Sequence, residues 1–258
     1  MMTKLLQIFG MPDVASAHGA GLDDLLGYVH LLMLLLFVGW LAYFFVAIAK
    51  FRKSANGKAD YLGVKGHMSS YLEIGVAFVE GVLLIGFAIP LWARAVDRLP
   101  TAAENPIEMQ VMAMQFSWNA HFAGPDGKWG LQDTRFASSG NPFGVDPKNA
   151  EGKDDVATLS NEEFLLPVNR PVIAKVSSMD VIHCFKLLEM RVTQDCVPGM
   201  SIPVHFTPTK LGKYSITCAQ LCGNGHSKMR GYYRVVAKDE FDKWYAEKSK
   251  AGAGTSFE

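Results

Sequence analysis

The stretch CAQLCGNGHSKM, residues 218–229, sets two thiols four residues apart, an imidazole four residues after the second, and a thioether three residues after that. A further imidazole, His183, stands 35 residues upstream of Cys218 in DVIHCF. Cys218, Cys222, His226, Met229 and His183 make a soft nitrogen–sulfur donor set. Thiolate and thioether select copper, and imidazole suits it as well. Zinc takes Cys and His but has little use for Met. One Cys, two His and a weak axial Met would make an ordinary mononuclear copper site. Here a second thiolate shares the loop, and two thiolates on one loop are placed to bridge two ions. A rigid, sulfur-rich pair changes little in geometry between oxidation states, so it suits electron transfer rather than bond-making. Each part alone has a plainer reading: Cys-x3-Cys as two buried small hydrophobes or a redox pair, and a methionine as core packing. His205, in IPVHFTP, is read as surface or core filling.

Outward from this loop the texture is that of short strands. IEMQVMAMQFSW, RPVIAKVSS, VHFTP, KYSIT and YYRVVAK are alternating or β-branched. Turn signals separate them: GPDG at 124–127, SSGNP at 138–142, VNRP at 168–171 and VPGM at 197–200. Many short strands with turns between them indicate a β-sandwich or barrel, here over about 105–238. With the Cys…His…Met loop, that architecture suggests a cupredoxin. Residues 137–160, rich in Gly, Asn, Asp and Lys, read as a polar surface insertion with no core of its own. DEFDKWYAEKSK, 239–250, reads as a terminal helix and AGAGTSFE as a frayed tail, together 239–258. No internal repeat is found.

The first hundred positions differ in kind. From Leu25 to Ala49 there is no Asp, Glu, Lys or Arg. Such a run reaches about 37 Å as a helix, enough to cross a hydrocarbon core of about 30 Å. A second run, Ile74 to Ala93, holds one charge, Glu80. Together they predict a transmembrane hairpin over 25–98, with spans at about 25–49 and 72–94. The loop between, 50–71, carries Lys50, Arg52, Lys53, Lys58 and Lys65 against a single acid, Asp60. The positive-inside rule places it in the cytoplasm, so the N-terminal segment 1–24 and the β-domain face the other side. Trp40, Tyr43, Tyr71 and Trp92 suit the interfacial belts. Lys4, LLQIFGM and Ala15-Ser16-Ala17 resemble a weak leader. Its apolar core is short and broken by Pro12 and Asp13, so cleavage is not expected.

Composition excludes other classes. The chain has 258 residues, 49% hydrophobic, with zero formal net charge. Nothing points to a nucleic-acid partner, which would call for a basic domain. No Cys-x-x-Cys-His occurs, so no c-type haem is attached to this chain. The cysteines number four, Cys184, Cys196, Cys218 and Cys222, too few for a disulfide scaffold.

Taken together, loop, upstream histidine and hairpin resemble subunit II of the haem–copper cytochrome c oxidases. Its CuA loop has the pattern Cys-x-Glu-x-Cys-x3-His-x2-Met, and the resemblance covers almost the whole chain. It implies an α+β membrane protein: a two-helix hairpin, a cupredoxin-like β-domain and a C-terminal helix. It implies that Cys218 and Cys222 bridge two copper ions. His183 and Met229 then complete one copper, and His226 with the backbone carbonyl of Gln220 the other. The implied activity is that of a respiratory cytochrome-c oxidase. Electrons pass from a c-type cytochrome through this subunit to haem in subunit I, where oxygen is reduced to water with proton translocation. Haem belongs to the partner subunit only. Other oxidase subunits, the lipid membrane and a respiratory supercomplex are the implied surroundings. The implied location is a bacterial inner membrane, crossed more than once, with the N-terminus and copper domain periplasmic. Two spans favour the A-type oxidases. The alternative is a CuA electron-transfer subunit of another reductase, of the nitric-oxide or nitrous-oxide type. A quinol-type subunit II, with the fold but no copper ligands, is disfavoured because all ligand positions are filled.

The chain departs from the family pattern in several places. Gln220 stands where most relatives have the Glu that helps hold magnesium. Asp195 matches the second acid near that ion, but a neutral amide is a poor ligand for a hard cation, so magnesium is expected to be weak or absent. Gln115-Phe116-Ser117-Trp118 stands for Gln-Trp-Tyr-Trp. Trp118 is kept, while Phe116 replaces the tryptophan that receives the electron. That change implies a donor other than a mitochondrial-type soluble cytochrome c, and a cytochrome domain of a partner complex fits. Cys184 and Cys196 replace small residues on an oxidising side. They are candidates for a disulfide, with free buried thiols the other reading. Glu73, 17 residues before Pro90, matches the family glutamate at the mouth of a proton pathway. Glu80 lies seven residues deeper on the same helical face, where a carboxylate costs free energy and is expected to face a partner. His30 is read as a partnered interfacial histidine.

Overall fold

The computed structural model describes residues 7–55, 58, 61–62 and 65–252. Lys4, Asp60 and the last residues of the tail, on which some of these expectations rest, lie outside the described residues. The chain divides into two compact units, Met1–Met11 with Gly21–Arg94, and Pro12–Ala20 with Ala95–Glu258.

The first unit is built on two helices long and apolar enough to cross a membrane. Helix α1 spans Gly19–Phe51, longer at both ends than the uncharged core of its sequence, and carries Lys50 in its last turn, where the helix dipole favours a cation. The second span runs through Met68–Val96 as three segments: α2 (Met68–Gly81), a π-helical stretch (Val82–Ala88) and α3 (Ile89–Val96). The sequence gives a cause. Pro90 has no N–H to donate, and its ring crowds the carbonyl one turn back. The chain widens just before it, and the Ile89 N–H reaches back to Leu84 O, five residues away. Phe87 of this stretch meets Tyr28 of α1 edge to face, ring centres 6.1 Å apart. The apolar side chains of both helices are exposed over most of their length, Trp40 at 66% and Ile85 at 69%, as lipid or partner helices require.

The second unit is a two-sheet β-domain. Its strands are β1 (Ile107–Met114), β2 (Ser117–Phe122), β3 (Val156–Thr158), β4 (Phe164–Pro167), β5 (Val172–Ser178), β6 (His183–Leu187), β7 (Val192–Cys196), β8 (Ile202–Phe206), β9 (Gly212–Cys218) and β10 (Arg230–Val236). One sheet has the order β3-β2-β1-β5-β8 and the other β4-β10-β9-β6-β7. Alternate residues of β1 (Ile107, Met109, Val111, Ala113) and of β10 (Gly231, Tyr233, Val235) turn inward, as the period of two in a pleated strand dictates. They meet Val172, Ala174, Val176, Phe185, Leu187 and Ile216 in one core. Helix α4 (Lys238–Gly252) closes one end, where Phe241, Trp244 and Tyr245 pack on the aromatic core around Phe122.

Two features differ from the sequence reading. Residues 137–160, read as a polar surface insertion, are packed onto the domain and add a strand to it. Phe143 and Val145 are buried, Asn141 brackets Val145 with two hydrogen bonds, and Val156–Thr158 forms a strand on β2. Few apolar residues suffice here because each lands on the existing domain. The second feature is a strap. Ala15 and Ser16, 1% and 4% exposed, lie against the β-domain. Ala15 N–H donates to Glu189 O (2.8 Å), Ala17 N–H to Thr207 O (3.0 Å), and Thr209 N–H to Ala15 O (2.7 Å). Ser16 Oγ donates to Met190 O (2.7 Å). The Ala-Ser-Ala that looks like a cleavage signal is thus part of the β-domain.

Candidate metal centre

Three neighbouring strands and one loop bring the donors together. His183 opens β6, Cys218 closes β9, and Met229 precedes β10, whose first residue pairs with Thr217. Residues 219–228 form the loop between β9 and β10, tightened by hydrogen bonds from His226 N–H to Gly223 O and from Met229 N–H to His226 O. Gly223 has φ of +126°, a conformation closed to other residues. A Cβ at Gly225 would collide with the ring of Phe116, which covers the loop. Gln115 Nε2 donates to Cys222 O at 2.5 Å.

The ligating atoms of His183, Cys218 and Cys222 lie within 4.8 Å of one another. The two sulfurs are 3.8 Å apart. His226 Nδ1 is 3.5 Å and Met229 Sδ 3.8 Å from Cys222 Sγ. His183 Nδ1 is 3.9 Å and Gln220 O 3.1 Å from Cys218 Sγ. First-row metal–thiolate bonds of about 2.3 Å fit between sulfurs at this separation. The donor set is soft and closes from several sides, so these residues fit a copper pair. His183, Cys222 and Met229 are buried; Cys218 and His226 are half-buried. Burial, then the neighbouring Cys218 sulfur, push the Cys222 thiol up to about 11.

Sequence reasoning missed the carboxylate that aims His183. Asp180 Oδ1 lies 2.8 Å from His183 Nε2, and the far nitrogen Nδ1 thereby faces the sulfurs. Asp180 also accepts from the Gln115 and Val181 N–H groups. Burial pushes its carboxyl up, but these bonds, led by His183, outweigh it and hold it below the usual range. A carboxylate behind a ligating imidazole fixes its tautomer and orientation. The signal was an acid three residues before the histidine. Trp118 is buried against the same histidine, ring centres 6.3 Å apart, and its indole N–H has no partner among the described residues. Phe116 is half-buried over the loop.

The other expected residues fall elsewhere. Cys184 and Cys196 are both free, which corrects the disulfide candidate. Cys196 pairs with His183 and Cys184 with Asp195. Adjacent residues on a strand point to opposite faces, so Cys196 joins the core while Cys184 turns to the outer face beside Asp195. Burial drives both thiols up to about 12. Asp195 and Gln220 have exposed side chains. His205 sits on β8 of the other sheet, its Nε2 buried without a partner among the described residues. Glu73 and Glu80 are exposed on α2. His30 bonds Leu26 O of its own helix, 2.8 Å away.

Comparison with known proteins bears on the assignment. The family model for the periplasmic domain of cytochrome c oxidase subunit II matches residues 134–236. The chain is similar to the alternative cytochrome c oxidase subunit 2 of Bradyrhizobium diazoefficiens, 28% identical over 236 residues, 91% of this chain and 82% of that one. It is also similar to the cytochrome c oxidase subunit 2 of a Synechocystis species, 25% identical over 93% of this chain and 76% of the relative. Among solved structures, the periplasmic domain of CoxB from Bradyrhizobium japonicum aligns at 27% identity, with a TM-score of 0.42, over 57% of this chain and 96% of that domain. The matched domain, the two long apolar helices ahead of it and the relatives aligned over nine-tenths of the chain carry one conclusion: residues 134–236 match the periplasmic domain of cytochrome c oxidase subunit II, and the chain as a whole is similar to subunits of that name.

Proposed function

We propose that this chain is the electron-accepting subunit of a respiratory cytochrome c oxidase. It takes single electrons from a c-type cytochrome at a two-copper centre and passes them to haem in subunit I. There oxygen is reduced to water with proton translocation. The observation that carries this reading is the convergence of two thiolates, two imidazoles, a thioether and a carbonyl from β6, β9 and one loop. When bound, the copper pair supplies one-electron transfer between two valence states.

The chain's own residues supply the rest. Cys218 and Cys222 would hold both ions, with His183 and Met229 completing one and His226 with Gln220 O the other. Asp180 keeps His183 in the tautomer whose Nδ1 is free to bind. Phe116 and Trp118 cover the centre and line the path of the incoming electron. A short, rigid loop held by Gln115 changes little on reduction, which keeps transfer fast. Gln220 offers an amide where magnesium needs a carboxylate, so Asp195 is left as the sole acid for that ion and holds it weakly. Glu73 stands at the cytoplasmic start of the second span, suited to feed protons to the partner.

The strap supports the orientation. Segment 12–20 belongs to the β-domain, so the chain enters and leaves the hairpin on one side of the membrane. The basic loop between the spans then lies in the cytoplasm and the copper domain in the periplasm of a bacterial inner membrane. Metal analysis of the purified oxidase tests the reading. Two coppers per copy of this chain, beyond any copper of subunit I, are expected. One zinc and no copper would refute it.

A further inference from the structure

The register of the outer sheet places unpaired cations beside the metal centre. Lys186 of β6 pairs with Thr217 of β9, and Thr217 pairs with Arg230 of β10. Directly paired residues share a face, so Lys186, Thr217 and Arg230 stand in one row on the outer face, the two cations about 10 Å apart at the usual strand spacing. Thr217 immediately precedes Cys218, and Arg230 immediately follows Met229. Lys228, on the loop itself, precedes Met229. Lys228 and Arg230 are exposed and Lys186 is half-buried. Among the described residues none of the three has an ion-pair partner.

The contrast with the rest of the face is informative. Arg234, four residues further along β10, bridges Glu240 (2.8 Å) and lies 4.0 Å from Glu163. Lys213, which pairs with Arg234, bridges Glu163 at 2.5 Å. Positive charge is neutralised away from the centre and left free next to it. The loop 218–230 has no acidic residue. Asp180 is engaged by His183, and Asp195, one row from Lys186 on the same face, is engaged by the Cys184 thiol. Within the loop, Leu221 is 77% exposed, and Val181 and Ile182, the two residues before His183, are 38% and 45% exposed. Exposed apolar residues and free cations thus both flank the candidate ligands, by sequence and by strand register.

We propose that Lys186, Lys228 and Arg230 form a docking rim for an electron donor whose haem edge is surrounded by acidic side chains. This rests on the electron-transfer reading above and names the partner's chemistry. The donor's ferrous haem iron loses one electron, the copper pair gains it, and no proton moves. Opposite charges at the rim raise the encounter rate and fix the approach, an effect that salt screens. A donor ringed by lysines meets like charge here and docks poorly.

The test uses the whole oxidase and two reduced c-type cytochromes of matched potential, one with an acidic and one with a lysine-rich haem edge. KM is measured across ionic strength. The acidic donor is expected to show the lower KM at low salt, rising as salt is added. K228E/R230E is expected to raise that KM by about tenfold, in the range of steering effects, and to flatten its salt dependence. K186E, placed on a strand outside the loop, is expected to act in the same direction and serves if the double variant loses copper. Unchanged KM and salt dependence in a copper-loaded variant would overturn the proposal. So would a wild-type preference for the lysine-ringed donor, or loss of the partner subunits on charge reversal, which would assign the cations to assembly. Failure of both donors to reduce the copper-loaded centre would instead sink the electron-transfer reading itself.

Discussion

Two histidines of the β-domain share one arrangement and differ in what it is for. His183 and His121 are both fully buried, and each has a carboxylate oxygen 2.8 Å from Nε2, from Asp180 and Asp155. Around His121 the bonds close on themselves. Asp155 also accepts from the Gly124 and Gly130 N–H groups, and Nδ1 of His121 lies 3.3 Å from Gln110 Oε1. Trp129 and Phe143 cover the ring. Around His183 the outer nitrogen meets sulfur, and Asp180 is 31% exposed. The first pair pins the long β2–β3 connection to the core. The second turns a free ring nitrogen toward the two thiols. What the second nitrogen sees, rather than the histidine–carboxylate pair, decides between lock and ligand.

The largest expected effects separate the two regions. Cys218→Ser or Cys222→Ser removes a bridging thiolate and is expected to abolish the copper pair and electron input from the donor, read by metal content and stopped-flow reduction. Asp155→Ala strands three buried donors and is expected to cost about 3–5 kcal/mol. That should lower the melting temperature of the copper-loaded domain by about 10 °C while copper stoichiometry stays at two. Asp180→Asn should do the reverse, weakening copper binding about 10–100-fold with a much smaller shift in melting. If Asp180→Asn melted the domain and Asp155→Ala released copper, the comparison would be inverted and wrong.

Smaller effects sharpen the centre's surroundings. Gln220→Glu is expected to increase magnesium retained by the assembled oxidase, measured by metal analysis after chelation, with the copper signal kept. Cys184 and Cys196, with thiols raised to about 12, stay protonated at pH 8 and are expected to resist alkylation in the folded protein. Rapid labelling of either would show that the outer sheet opens.

Much of the molecule was legible because its signals are local. Two apolar runs long enough to cross a bilayer, the second holding a single acid, name the hairpin, and strands such as Val172–Ser178 and Arg230–Val236 alternate visibly. The ligand loop carries all but one of its side-chain donors within twelve residues. What was hidden depends on partners far along the chain. Ala15 and Ser16 become structured because the segment after β8 and the β6–β7 turn offer this stretch carbonyls and an N–H. Asp180 looks like any acid in a turn until His183 lies against it. The free state of Cys184 and Cys196 follows from β6–β7 register, which a 12-residue spacing does not state. The π-stretch ahead of Pro90 was open to inference from the proline, but the seven apolar residues Val82–Ala88 contain nothing that announces it.

Electron paramagnetic resonance of the oxidised, copper-loaded protein tests the central claim most directly. One unpaired electron shared equally by two coppers, split by both nuclei, is the expected spectrum, and it should vanish in Cys222→Ser. The four-line signal of a lone copper(II), or no copper signal beside a bound zinc, would contradict the paired-thiolate centre at Cys218 and Cys222.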